Sequence, residues 1–158
     1  MKKAIISVLS IALLVSCLAA CGAAPAAKSA DLPAFWDKIS GEYEMPAMAD
    51  EVTPEELETF YAGLKDISLK QSVIKVPMMT ASANEFLFVE CEKSEDVAKV
   101  QEIFQKCIDD QAAGGAWYPE SVAAWAKAKV ATNGNYVAMI AGGDNTEKIV
   151  TEFNDLFK

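Results

Sequence analysis

The chain has 158 residues, enough for one ordinary domain and too few for two. It holds 14 lysines, no arginine and no histidine against 23 acidic residues, a net charge of −9. Lack of histidine excludes Ser/His/Asp and Cys/His nucleophile systems and His-containing zinc sites, an acidic balance without arginine argues against nucleic-acid binding, and 52% hydrophobic residues exclude a disordered chain.

Residues 1–20 read as a lipoprotein signal peptide. Met1-Lys2-Lys3 is a cationic start, and residues 4–20 carry no charge. The stretch ends in Leu18-Ala19-Ala20-Cys21-Gly22. Small side chains there suit a peptidase cleft that takes the chain extended, and a cysteine thiol can carry a diacylglycerol thioether. Cys21 is therefore the expected lipid attachment site, with Cys17 of Leu14-Val15-Ser16-Cys17 as the alternative. An uncleaved helix over residues 4–21 would span only about 27 Å, short for a bilayer, and no charge cluster follows it. Residues 21–30 are Gly, Ala, Pro, Ser and one Lys, the composition of a flexible tether. Two acyl chains on Cys21 would anchor it stably. The expected location is the extracytoplasmic face of the cell membrane, and the expected partner there is the membrane itself, through the lipid. Removing residues 1–20 takes away Lys2 and Lys3 and leaves the chain more acidic still.

Residues 31–158 read as a single α+β domain. Residues 31–40 predict a short helix ended by Gly41. Thr53-Pro54-Glu55-Glu56 is a capping box with proline at the first helical position, and Leu57, Phe60, Tyr61 and Leu64 give the next helix one apolar face, with Gly63 at its end. Residues 72–76 predict a strand whose end Pro77 bends. Residues 85–91 predict a central strand: Phe86 and Phe88 point one way, Leu87, Val89 and Cys91 the other, so both faces need cover. Ser94 is expected to cap a long helix striped by Val97, Val100, Ile103, Phe104, Cys107 and Ile108 and closed by Gly114-Gly115.

Trp117-Tyr118-Pro119-Glu120 opens a further short helix with proline at its first position. Residues 127–132 and 135–141 predict a hairpin on a type I′ Asn133-Gly134 turn. Asp144 is expected to cap the last helix, which faces Ile149, Val150, Phe153, Leu156 and Phe157 inward. The order is α-α-β-β-α-α-β-β-α: a four-stranded, mainly antiparallel sheet of two hairpins with packed helices. Residues 84–107 and 134–157 echo one another at an offset of 50, through duplication or because ββα grammar repeats by itself. Cys91 and Cys107 are expected as unpaired, buried thiols. Cys107 lies about 20 Å along its helix from the start near Ser94, and a disulfide spans Cα atoms within about 7 Å.

Chemistry-bearing features are few. Trp117, Tyr118 and Glu120, after Gly114-Gly115, could form an aromatic ligand-binding loop with a polar tip, or simply anchor a helix start. Asp109-Asp110 sits at the unfavourable end of a helix and is a candidate cation contact. Asp144-Asn145-Thr146-Glu147 reads as a cap rather than half a calcium loop. No histidine partners the thiols, no phosphate loop follows the glycine pairs, and nothing calls for a metal or a cofactor.

Together the lipobox, Glu85-Phe86-Leu87-Phe88-Val89, a helix running into Gln111, Tyr118-Pro119-Glu120 and Gly134-Asn135-Tyr136-Val137 resemble a bacterial lipoprotein family known as domain of unknown function 4358, over roughly residues 35–157. The resemblance adds Gln111, at its spacing from Tyr118, to the candidate binding residues. Where the family usually has arginine four positions before the glutamine, this chain has Cys107. The family carries no established activity. The expected function is that of a membrane-anchored binding or interaction module for a protein or small-molecule ligand. The alternative is a carboxylate-dependent cell-wall hydrolase, which would require two facing carboxyls in a cleft.

Overall fold

A computed structural model describes residues 28–49, 51–79 and 81–158; the expected signal peptide, Cys17 and Cys21 lie outside the described residues. Two helices lead, α1 (Leu32–Glu42) and α2 (Pro54–Phe60), followed by strands β1 (Leu69–Lys75) and β2 (Asn84–Cys91). Helices α3 (Val97–Asp110) and α4 (Pro119–Trp125), strands β3 (Lys129–Asn133) and β4 (Tyr136–Gly142), and helix α5 (Thr146–Asp155) complete the order. The fold is α+β, with one four-stranded sheet in the order β1-β2-β4-β3 and every neighbouring pair antiparallel.

Strand periodicity divides the core in two. Phe86 and Phe88 of β2 and Tyr136, Ala138 and Ile140 of β4 face α1 and α5, where they meet Leu32, Phe35, Ile39, Ile149 and Phe153. Leu87, Val89 and Cys91 of β2 and Val137, Met139 and Ala141 of β4 face the other way, against Tyr61, Leu64, Trp125 and the α3 residues Val100, Phe104, Cys107 and Ile108. Central strands covered on both faces explain why these runs are apolar throughout rather than alternating. Phe88 sits at the middle of the first layer, edge-on to Phe35 at 5.1 Å and stacked on Phe153 at 6.2 Å.

Local chemistry sets most boundaries, with some departures from expectation. Asp31 caps α1 by accepting the Ala34 N–H at 3.0 Å, but Gly41 does not end the helix, which runs on to Glu42. A glycine inside a helix costs only about 1 kcal/mol, which tertiary packing overrides. The capping box of α2 is made in both directions, Glu56 N–H to Thr53 Oγ1 at 3.2 Å and Thr53 N–H to Glu56 Oε2 at 2.8 Å. That helix stops at Phe60, and Gly63 turns the chain at φ 89. Tyr61 and Leu64 are buried from the turn, whereas Phe60 is left 52% exposed rather than sharing their face.

Ser94 and Asp144 cap nothing. Each lies in a 3-10 turn before its helix, and Asp144 pairs instead with Lys127 at 2.6 Å. No side chain caps the last helix; its first residue, Thr146, instead accepts the Gly142 N–H at the end of β4 at 3.0 Å. In the second hairpin Asn133 pairs with Tyr136, so the turn residues are Gly134 and Asn135, one position later than expected. Of these two turn residues only Gly134 has positive φ (55°), the type II′ pattern and not I′.

The echo between residues 84–107 and 134–157 holds for the strands but not the helices, since α3 covers one face of the sheet and α5 the other. A twofold axis normal to the sheet would relate the hairpins while keeping both helices on one face, so the halves do not superpose as repeats. Cys91 and Cys107 are free and buried. Among the described residues no helix is long and apolar enough to cross a membrane.

Ala30, which composition assigns to the tether, is buried against the sheet. Its N–H donates to Tyr136 Oη at 3.1 Å and its carbonyl accepts Gln71 Nε2 at 2.9 Å. Gln71 also accepts the Leu32 N–H at 3.0 Å and donates to Glu90 at 2.9 Å. This network fixes where the chain leading from Cys21 joins the body: on the α1/α5 face, at the end of the sheet formed by the start of β1, the end of β2 and the start of β4.

Candidate functional site

The other end of the sheet, on its other face, carries a cavity of about 770 Å³. Its construction follows from three local events. First, residues 47–49 pair with residues 76–78 just past the end of β1: Met48 bridges Pro77, and the Ala49 N–H and Met78 N–H donate to the Val76 and Ala47 carbonyls at 2.9 Å each. Second, the turn after α2 inserts Tyr61 into the core beneath the start of β2.

Third, α3 runs out into a π turn, Gln111–Gly115, that folds the following segment back over the opening. Gly114 takes φ 115, a conformation side chains rarely adopt, and a Cβ on Gly115 would stand 2.8 Å from the Asp110 carbonyl oxygen. The glycine pair thus permits the reversal that delivers Ala116, Trp117 and Tyr118 to the cavity. Pro119 then starts α4, whose Ser121 hydroxyl donates to the Ala81 carbonyl at 2.5 Å and pins the far wall.

Gln111, Trp117 and Tyr118 all line the cavity. Glu120 does not: it stands exposed in the first turn of α4, where it complements the helix N-terminus. Asp109 and Asp110 are taken up by Gln105 at 2.8 Å and Lys106 at 2.5 Å, pairs one helical turn apart. Cys107, at the position of the family's arginine, is buried in the core, and desolvation pushes its thiol up to about 12.

The sequence reading did not single out Phe60, Met78, Tyr61 or Glu85 as site residues. Of the five large apolar side chains exposed among the described residues, four border this one cavity: Trp117 at 89%, Met78 at 70%, Tyr118 at 57% and Phe60 at 52%. The walls are aromatic and aliphatic. Among the described residues of the lining two carboxyls are the charged groups, Glu56 near the rim and Glu85 deeper, and no lysine is among them.

Glu85 accepts the Tyr61 hydroxyl at 2.5 Å. Burial pushes its carboxyl above the usual range, more than the hydrogen bond from Tyr61 lowers it, and Tyr61 itself is pushed well up by burial and the neighbouring Glu85. Glu56 behaves oppositely: the Thr53 backbone N–H, and then the Thr53 hydroxyl, hold it below its usual range. The sequence signal for Glu85 was its parity. It shares the inward face of β2 with Leu87, Val89 and Cys91, an unusual place for a carboxyl. Among the described residues no group of three or more Cys, Asp or Glu is placed to hold a metal ion.

No curated protein and no solved structure matches the chain. A family match spans residues 42–142, which takes in all four strands and every residue lining the cavity while leaving out α5 and nearly all of α1. The chain belongs to that family, described as Domain of unknown function (DUF4358).

Proposed function

We propose that the protein is a membrane-anchored binding module of the extracytoplasmic face, and that its cavity takes a small ligand with an apolar or aromatic body. The observation that carries this is the gathering of Phe60, Met78, Trp117 and Tyr118 around one concavity, when each exposes more than half its surface to water. Unliganded, that surface opposes solubility, and an occupant would cover it. The volume of about 770 Å³ lies within the ~300–1,000 Å³ usual for small-molecule sites.

The placement of Ala30 supports the anchored arrangement. The chain from Cys21 reaches the body on the face opposite the cavity, and Glu85 and Glu90, which mark the two ends of the sheet, are about 16 Å apart along β2. A lipid at Cys21 would tether the body through its face opposite the cavity, leaving the cavity mouth clear of the attachment point.

Two tests address the two parts. Titration of the full chain with 2-phenylethanol, followed by calorimetry, is expected to saturate, and to lose saturation in Trp117→Ala without a fall in Tm. A response that never saturates, or that is the same in the variant, overturns the cavity reading. Metabolic labelling with palmitate is expected to fail in Cys21→Ser. Retention of label there moves the site to Cys17, and retention in the double Cys17→Ser, Cys21→Ser variant overturns lipid anchoring.

A second reading, carboxylate-dependent hydrolysis of wall glycans, draws on the opposite shifts of Glu56 and Glu85 around the same cavity, the divergence an acid and a base require. It is the weaker reading because Glu56 is committed to the cap of its own helix. Release of soluble saccharide from wall material, abolished by both Glu56→Gln and Glu85→Gln, would put it first.

A further inference from the structure

Building on the cavity reading above, we infer that the site selects ligands that carry a protonated amine or quaternary ammonium on an apolar body. Five aromatic residues line the cavity, Phe60, Tyr61, Trp117, Tyr118 and Trp125, and aromatic faces attract cations. Among the described residues its charged groups are Glu56 and Glu85. Lysines elsewhere are drawn into ion pairs on the surface, such as Lys65 with Glu58 and Lys106 with Asp110, and no ion pair among the described residues involves Glu85.

Glu85 is the informative group. A carboxyl on the inward face of a core strand ordinarily has a cationic partner, because an unpaired buried charge is costly. Here its side-chain partner is a phenol, Tyr61, at 2.5 Å. An ammonium seated beside Glu85 would supply the missing countercharge while the ligand's body lay against Trp117 and Tyr118. An anionic ligand would meet two carboxyls and a chain of net charge −9, and a neutral alcohol could at most donate a hydrogen bond to Glu85, without the charge pairing an ammonium adds.

Three probes with similar aromatic bodies separate these cases: 2-phenylethylamine, 2-phenylethanol and phenylacetate, each titrated into the full chain at pH 7.5. The amine is expected to bind at least about tenfold more tightly than the alcohol, a gap typical of one desolvated charge contact, and phenylacetate more weakly than either. Glu85→Gln is expected to bring the amine down to the affinity of the alcohol. Equal binding of amine and alcohol by the unmodified chain, or an amine advantage that survives Glu85→Gln, overturns this inference and leaves the cavity reading standing. Saturation by none of the three overturns both. The ranking in the unmodified chain decides the matter even if Glu85→Gln does not fold.

Discussion

Tyr61→Phe isolates the contact at the base of the cavity. The Tyr61 ring is 1% exposed and packs edge-on against Phe104 at 6.4 Å, and phenylalanine keeps that packing. What is lost is one hydroxyl, 2.5 Å from Glu85 Oε2. A hydrogen bond to a charged acceptor is worth about 1.5–3 kcal/mol and one to a neutral acceptor about 0.5–1.5 kcal/mol. The sign with pH follows from the folded-state shift of Glu85. Burial raises its pKa, so its contribution to stability is fully present below the unfolded value and is lost as pH rises through the folded one. The Tyr61 hydroxyl limits that loss by stabilising the ionised carboxylate, and removing it raises the folded pKa further. Urea unfolding at pH 4.5 and pH 8 is therefore expected to show a deficit of ~1 kcal/mol for Tyr61→Phe at the lower pH, growing to ~2–3 kcal/mol at the higher. The other groups near Glu85 do not mimic this trend. The Cys107 thiol is pushed up to about 12, and Glu56, across the cavity, titrates below its usual range. A deficit equal at the two pH values, or none, would refute the reasoning.

Three further outcomes are expected. Phe88→Ala removes the ring on which Phe35 and Phe153 pack and should cost ~3–5 kcal/mol in urea unfolding; a loss under 1 kcal/mol would mean the α1/α5 layer does not depend on it. Gly115→Ala forces a Cβ to within 2.8 Å of the Asp110 carbonyl, so the π turn must shift. It should weaken 2-phenylethanol binding severalfold while core amide protection in β2 and β4 is kept. In acid, α1 should loosen before the central strands. Although burial acts in the other direction, hydrogen bonds from Gln71, Lys70 and Tyr136 bring Glu90 below its usual range, and those from Tyr43 and Lys38 do the same for Glu152. Their stabilisation is present above the unfolded pKa and is lost as pH falls through the folded one. Hydrogen exchange at pH 3, corrected for intrinsic rates, should show protection falling first over Leu32–Glu42; simultaneous loss in β2 would contradict this.

Element order was legible because both central strands and all the longer helices declare themselves through periodicity. The parity of Phe86 and Phe88 against Leu87 and Val89 reads directly as the two layers of the core. What sequence reasoning missed lies at element ends, where several local solutions compete within about 1 kcal/mol. Asn133-Gly134 has turn residues for more than one register, and pairing of Asn133 with Tyr136 decides for the later one. Ser94 and Asp144 have capping chemistry but fall in 3-10 turns that start their helices later. At the site, Trp117 and Tyr118 were within reach because they follow a glycine turn, and Gln111 entered only through the family resemblance. Phe60, Met78 and Glu85 join them only in space, and Glu120 shares their segment yet points elsewhere. Phe60 looked like part of a buried stripe, and only the early end of α2 turns it outward.

The proposal that this cavity is displayed outside the membrane is open to one direct measurement. Cys91 and Cys107 are buried, and acylation would block Cys21, so the natural chain should be inert to a membrane-impermeant maleimide. Trp117→Cys places a thiol at the most exposed point of the cavity rim. Labelling of that variant on intact cells, with the natural chain unlabelled, is the result expected of an anchored module facing outward. Labelling that appears only after the cells are lysed would contradict it.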